Sequence, residues 1–314
     1  MSNITITLLN INGLIKQTIN TITNSLSSSS LIFLTETWLL SPSRYPTNWY
    51  QHHNYALPVE NSHRGKMGIT LLTNPSFPYP VHVLPTISPY ILSCKIENLT
   101  IYCLYLPPTD LTPIKVLEII QSIPLLTLSD NHHENTIFCG DFNARHKELL
   151  GDHRTTSRGT VFANWIEEQG LHCWNSQLIY GMPTFIKKTT HRTETSIIDW
   201  ILSTEPLTNV SMWIEAEMDL KSDHKPVCIS FTMDCPPPPQ ENHPRQLWHL
   251  SKLYDDEPRQ KYKELFMEKI ANVHDQIKTA IENNDIEPDL DNLSNQLTNC
   301  IQSSLDRSIG RRKP

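Results

Sequence analysis

The sequence lacks paired, closely spaced cysteines. Its seven cysteines in 314 residues are odd in number and widely scattered, which excludes a zinc signature and a disulfide framework. Cys94, Cys103, Cys139 and Cys228 sit inside apolar runs and read as small core residues of a reducing compartment. Also missing is any stretch of the roughly 18 apolar residues that a membrane span needs. No charged flank leading into an apolar segment opens the chain, so the expectation is an intracellular protein with no membrane. Excess positive charge is absent too: 26 Lys and Arg against 33 Asp and Glu give −7. That excludes a polybasic binder living on counterion release from many phosphates, but not a local basic groove.

What is present alternates between strand and helix patterns. Residues 4–10 alternate like a strand, and 16–27 have amphipathic helical spacing that ends in a serine run. A second strand ends at Glu36. Further strands are predicted over 67–72, 90–96, 100–106, 136–139, 196–202, 210–214 and 226–233, with helices over 112–127 and 157–169. This order fits an α/β sandwich of two packed sheets with helices outside. The prolines at 236–239 make a stiff spacer, dividing a domain over 1–233 and a linker over 234–245 from a helical extension over 246–314.

Polar and acidic motifs stand at the ends of the apolar runs: Leu-Asn-Ile-Asn-Gly-Leu at 9–14, Leu-Thr-Glu-Thr-Trp at 34–38, Gly-Asp-Phe-Asn at 140–143, Ser-Ile-Ile-Asp-Trp at 196–200 and Ser-Asp-His at 222–224. Asp141 and Asn143 are two apart and face the same side of an extended chain. They pair a carboxylate base with an amide able to orient water or phosphate. Glu36 is a hard oxygen donor suited to Mg²⁺, and His224 can contact a phosphate or move a proton near neutral pH. Arg145, Lys147, Arg154 and Arg158 follow one motif; Lys187, Lys188 and Arg192 precede another. A polyanion held at those motifs would need such residues, and solvated loops are the plain alternative. The pairs His52-His53 and His132-His133 read as structural.

The ordered set of five motifs resembles the exonuclease/endonuclease/phosphatase superfamily over residues 1–233. Within it the flanks look most like the endonuclease domain of a LINE-type (non-LTR) retrotransposon. The resemblance implies a four-layer α/β sandwich of two mixed sheets, deoxyribonuclease I-like, with a C-terminal helical extension. It implies Glu36 and Asn10 as ligands of Mg²⁺, or of Mn²⁺, with Asp223 near the metal. Asp141 would activate water and Asn143 hold the phosphate or leaving group. Asp199 would orient His224, a base or a charged clamp, and Tyr105 would touch the scissile phosphate. Thr184, Ser222, Arg145, Lys187, Lys188 and Arg192 would bind substrate, with 187–192 the loop that enters a groove. Asn12 departs from the apurinic/apyrimidinic endonucleases, which carry an acidic residue there.

The implied activity is Mg²⁺-dependent nicking of one strand of double-stranded DNA, leaving a 3′-hydroxyl primer, with nuclear action and a reverse transcriptase domain or element RNA as partners. With no polymerase following, the chain reads as a fragment, a truncated copy or a separate reading frame. A phosphatase or ribonuclease on the same scaffold, or a catalytically decayed binding module, are the rival readings.

Overall fold

The computed structural model describes residues 2–45, 47–60, 62, 64–109, 111–124, 135–190, 192–218, 220, 222–233, 247–282 and 290–312. It divides into two compact units, Met1–Pro239 and Gln240–Pro314. The linker expected over 234–245, His132-His133, and the end of the helix expected to run to 127 lie outside the described residues.

In chain order the first unit contains β1 (Ser2–Asn10), α1 (Lys16–Ser25), β2 (Leu31–Thr35), β3 (Tyr50–Asn54), β4 (Ile69–Thr73), β5 (His82–Val83), β6 (Ile91–Ile96) and β7 (Leu99–Tyr105). There follow α2 (Pro113–Gln121), β8 (Asn135–Asp141), α3 (Lys147–Leu150), α4 (Ser157–Gln169), β9 (His172–Cys173) and α5 (Trp174–Leu178). It closes with β10 (Phe185–Lys188), β11 (Thr193–Ser196), β12 (Asp199–Ser203), β13 (Thr208–Ile214) and β14 (Val227–Met233). One six-stranded sheet runs β13-β14-β1-β2-β4-β3, the other β5-β6-β7-β8-β12-β9, and β10-β11 form a separate hairpin. Both large sheets are mixed: β1 with β2 and β7 with β8 are parallel, among antiparallel neighbours.

The alternation of side chains sorts them into four layers. Ile4, Ile6 and Leu8 of β1 meet Ile101, Cys103 and Tyr105 of β7 in the space between the sheets. Leu9 and Ile32 face the other way, onto Ile19 and Ile22 of α1. Tyr102, Leu104, Phe138 and Trp200 cover the outside of the second sheet against Val116 of α2 and Phe162 and Trp165 of α4. Strands covered on both faces read as continuous apolar runs, which is how β2, β4 and β7 stand in the sequence. The four cysteines expected in the core are buried.

Local chemistry sets the ends of the elements. Thr156 caps α4 by accepting from the Gly159 amide, and Gly170 ends it in the left-handed conformation. Thr112 caps α2, which stops before Pro124, short of the expected end. Gly140 is required by a close approach: a Cβ there would stand 2.0 Å from the Leu104 carbonyl oxygen on β7. The single strand expected over 196–202 is broken into β11 and β12. The amides of Ile197 and Ile198 donate to Asp152 Oδ2 at 2.8 Å and Thr184 Oγ1 at 3.1 Å, so the chain leaves the hairpin and joins the second sheet. β3 and β10, polar or short, were not expected.

The second unit pairs β15 (Leu247–Trp248) with β16 (Arg311–Arg312) and contains α6 (Asp256–Glu282) and α7 (Leu290–Ser308). Asp306 ties it together, accepting from Trp248 Nε1 at 2.8 Å and from Arg311 Nε and Nη2 at 2.7 and 2.6 Å. No helix among the described residues is long and apolar enough to cross a membrane.

Candidate active site

Parallel pairing places the exits of β1, β2, β7 and β8 at the same end of the sandwich, where β12 starts with Asp199 opposite Asp141. His224 arrives there just before β14. A cleft of about 540 Å³ opens at this end. Asn10, Glu36, Asp141, Asn143, Arg145, Lys187, Asp223 and His224 line it, and Asn12, Arg154 and Phe185 stand with them.

Asn10 is the bridge between the sheets. Its Nδ2 donates to Glu36 Oε1 at 3.0 Å and to Asp141 Oδ2 at 2.9 Å, which fixes the amide's orientation. Its Oδ1 accepts from the Asn12 amide at 3.0 Å, and its carbonyl accepts from Ser222 Oγ at 2.6 Å. Tyr105 Oη donates to Glu36 Oε1 at 2.6 Å. Asn12, Glu36 and Asn143 all hold positive φ, at 50°, 51° and 46°. Non-glycine residues adopt that region at a cost, and the hydrogen bonds around them hold them there.

Beside this group His224 Nδ1 contacts both carboxylate oxygens of Asp199, at 3.1 and 2.9 Å. Nδ1 therefore carries the proton, and Nε2 faces Asp141 Oδ2 at 3.9 Å, too far for a hydrogen bond. The Phe185 ring stands edge-on to the imidazole with centroids 5.1 Å apart. Burial opposes charge on His224, but Asp199, Asp141 and Glu36 together outweigh it and push its pKa up to about 9. Burial pushes Asp141 up to about 7; the Asp199 and Glu36 charges add to this, while His224 and the Asn10 hydrogen bond pull it back.

A carboxyl raised to about 7 by its burial, and further by neighbouring carboxylates, is in a setting a cation would relieve. Asp141, Asp199 and His224 offer ligand atoms all within 4.8 Å of one another. Asp199 already directs both oxygens to His224, however, so the hard oxygens of Glu36 are better placed to take a divalent cation, while Asn10, which turns its Nδ2 to Glu36 and Asp141 and its Oδ1 to the Asn12 amide, braces the two carboxylates.

Four expected substrate contacts differ in placement from the cleft-lining group. Thr184 is fully buried; its hydroxyl accepts the Ile198 and Asp199 amides at 3.1 and 3.2 Å and so sets the start of β12. Ser222 Oγ bridges the Asn10 carbonyl and the His224 amide, positioning rather than facing the cleft. Lys188 and Arg192 belong to the outer part of the hairpin and do not line the cleft; Arg192, 76% exposed, reaches Glu194 at 3.7 Å. Arg158, expected in the basic group near the substrate, is a correction: it is buried and donates to the carbonyls of Leu106, Pro107, Leu111 and Phe142. Phe185 and Asp152 carried no signal in the sequence beyond an ordinary aromatic and a loop acid.

Residues 99–228 match the family model described as endonuclease-reverse transcriptase. The structure is similar to the endonuclease domain of TRAS1, a telomere-specific non-LTR retrotransposon, at 17% identity over 74% of this chain and 100% of that one, with a TM-score of 0.56. An AP endonuclease from Archaeoglobus fulgidus is similar at 15% identity over 73% and 100%, TM-score 0.56. The Xenopus laevis APE2 catalytic domain is similar at 18% over 74% and 93%, TM-score 0.54. No curated protein sequence matches.

Proposed function

We infer that the chain is a member of the exonuclease/endonuclease/phosphatase superfamily, a reading supported by the family match over residues 99–228 and the shared fold, and acts as a divalent-metal-dependent DNA endonuclease that nicks one strand of a duplex and leaves a 3′-hydroxyl. The observation that carries this reading is the meeting of Asn10, Glu36, Asp141, Asn143 and the His224–Asp199 pair in one cleft flanked by Arg145, Arg154 and Lys187.

A divalent cation, Mg²⁺ or Mn²⁺, held by Glu36 with Asn10 and Asp223 alongside, would supply charge neutralisation at the scissile phosphate. The protein's own groups do the rest. His224, protonated on Nδ1 toward Asp199, turns Nε2–H to a phosphate oxygen as a charged clamp; its raised pKa favours this role over that of a base. Asp141, titrating near neutrality when no cation is bound, accepts a proton from the attacking water. Asn143, whose backbone N–H donates to Asp141 Oδ1 at 3.0 Å, offers its side chain to the phosphate. Tyr105, bonded to Glu36, orients that carboxylate. The hairpin with Lys187, Lys188 and Arg192 follows the duplex backbone, and minor-groove width and flexibility set site choice.

In a retrotransposon the 3′-hydroxyl would prime reverse transcription in the nucleus, and residues 246–314 would precede a reverse transcriptase and its RNA. The test is conversion of supercoiled plasmid to open circles with Mg²⁺, with EDTA, and with Asp141→Ala or His224→Ala. Metal-dependent nicking lost in both variants supports the reading. Intact plasmid with folded wild-type protein overturns it in favour of small phosphate esters or a decayed module.

A further inference from the structure

Asp152 lies outside every motif, yet its carboxylate accepts four hydrogen bonds at the edge of the cleft. Oδ1 receives Arg145 Nε at 2.9 Å, Arg145 Nη2 at 2.7 Å and the Arg154 amide at 3.2 Å; Oδ2 receives the Ile197 amide at 2.8 Å. The side chain has no exposed surface, so none of these oxygens is free to meet a ligand. Hydrogen bonds from guanidinium and backbone to a buried carboxylate are strong and directional, and Arg145 and Ile197 hold its pKa below the usual carboxylate range against its burial.

The partners of Asp152 belong to two different segments. Arg145 and Arg154 are on the loop that begins with Asn143, while Ile197 follows β11 of the hairpin, and Arg145 Nη2 adds a bond to the Thr195 carbonyl at 3.0 Å. The opposite flank of the hairpin is held by the segment bearing His224: the Ile186 amide donates to the Asp223 carbonyl and the Lys225 amide to the Thr184 carbonyl, both at 2.7 Å. The hairpin base is thus gripped on one side by the His224 segment and on the other through Asp152 and Arg145, with a lighter, exposed contact of His153 Nε2 to Thr195 Oγ1 at 3.1 Å beside them.

We propose that Asp152 is a positioning residue: it locks the base of the 185–196 hairpin to the Asn143 loop, and so fixes the angle at which the basic tip and Arg154 meet a polyanionic backbone. This rests on the endonuclease reading above. Asp152 touches neither water nor phosphate, and His224, Asp199 and Asn10 are held by bonds that do not include it. Loss of the lock loosens the grip on the duplex and leaves the bond-breaking groups in place.

The test is plasmid nicking by the full chain as wild type, Asp152→Asn and Arg145→Lys, with circular dichroism to show that each is folded. Asparagine keeps the volume but removes the charge; lysine keeps the charge and the Asp152–Ile197 bond but loses the planar fork. The expected result is a KM at least five-fold higher for Asp152→Asn and a smaller rise for Arg145→Lys, with kcat within two-fold. Should Asp152→Asn not fold, Asp152→Glu, which keeps the charge but displaces the carboxylate from Arg145 and the Ile197 amide, decides by the same split. A nicking wild type beside variants with unchanged KM, or with kcat and KM effects that merely track melting temperature, overturns the inference and spares the endonuclease reading. A wild type that leaves plasmid intact overturns both.

Discussion

His224 Nδ1 points between the two carboxylate oxygens of Asp199, at 3.1 and 2.9 Å, with Asp199 1% and His224 9% exposed. Burial of so close a pair is costly unless the charges are matched, and here Asp141 and Glu36 add further negative potential. The imidazole is therefore kept cationic well into the range where a free histidine is neutral.

In EDTA, the His224 imidazole resonance should titrate with a midpoint at about 9, and Asp199→Asn should lower it by more than one unit. Because the folded pKa lies above the unfolded value of about 6.5, this stabilisation is complete below that pH and is lost as pH rises through the folded value. Asp141, raised to about 7, acts in the same sense from its unfolded pKa upward. Urea midpoints of the metal-free protein should thus fall steadily from mildly acidic to alkaline pH. A wild-type midpoint near that of free histidine would sink the account.

Arg158 should matter to stability and not to DNA. Its removal leaves four backbone carbonyls short of a donor where α4 meets the 106–111 segment. Arg158→Met should cost about 3 kcal/mol, read from urea unfolding, and leave the salt dependence of duplex binding unchanged. A changed salt slope with normal stability would restore it to the substrate face.

Gly140→Ala tests why the Gly-Asp-Phe-Asn motif begins with glycine. The new methyl would meet the Leu104 carbonyl at 2.0 Å, and a backbone group between two paired strands cannot swing aside. A loss of about 3 kcal/mol or more is expected, with activity falling because β7 and β8 carry Tyr105 and Asp141. Wild-type stability would mean that the two strands can part at no cost.

Glu36→Gln should weaken Mn²⁺ binding at least ten-fold by calorimetry while the fold persists, since Glu36 ends a strand and takes no part in the core. Tyr105→Phe, which removes the bond to Glu36 Oε1, should weaken it less. Equal affinity in Glu36→Gln and wild type would move the cation to Asp141, Asp199 and His224.

Much of this arrangement was legible because it is local. The apolar runs of β1, β2, β7 and β8 each stop at a polar residue, and their common end follows from two parallel pairings. What the sequence hid is what depends on orientation. Arg145, Arg154 and Arg158 are equivalent as letters, yet Arg145 is folded onto Asp152, Arg154 lines the cleft and Arg158 is buried under α4. Thr184 and Ser222 were legible as site residues, but their hydroxyls are committed to backbone groups. The break after Ser196 was invisible because Ile197 and Ile198 are excellent strand formers, and side-chain acceptors on distant segments take their amides.

The hairpin should carry the electrostatic part of duplex recognition. Lys187 is on the cleft wall, and Lys188 and Arg192 are exposed on the outer part of the hairpin. Each phosphate left without its cationic side chain lowers the slope of log affinity against log salt by about 0.9, so replacing all three with alanine should reduce it by about 2 to 3. Arg192, already near Glu194, should contribute least, and Lys187→Ala alone should account for the largest single share. Cleavage at saturating DNA should fall far less than affinity, since Glu36, Asp141 and His224 are untouched by the replacements, while the pattern of nicks should broaden. Unchanged slope and unchanged pattern in the triple variant would show that the duplex is held elsewhere.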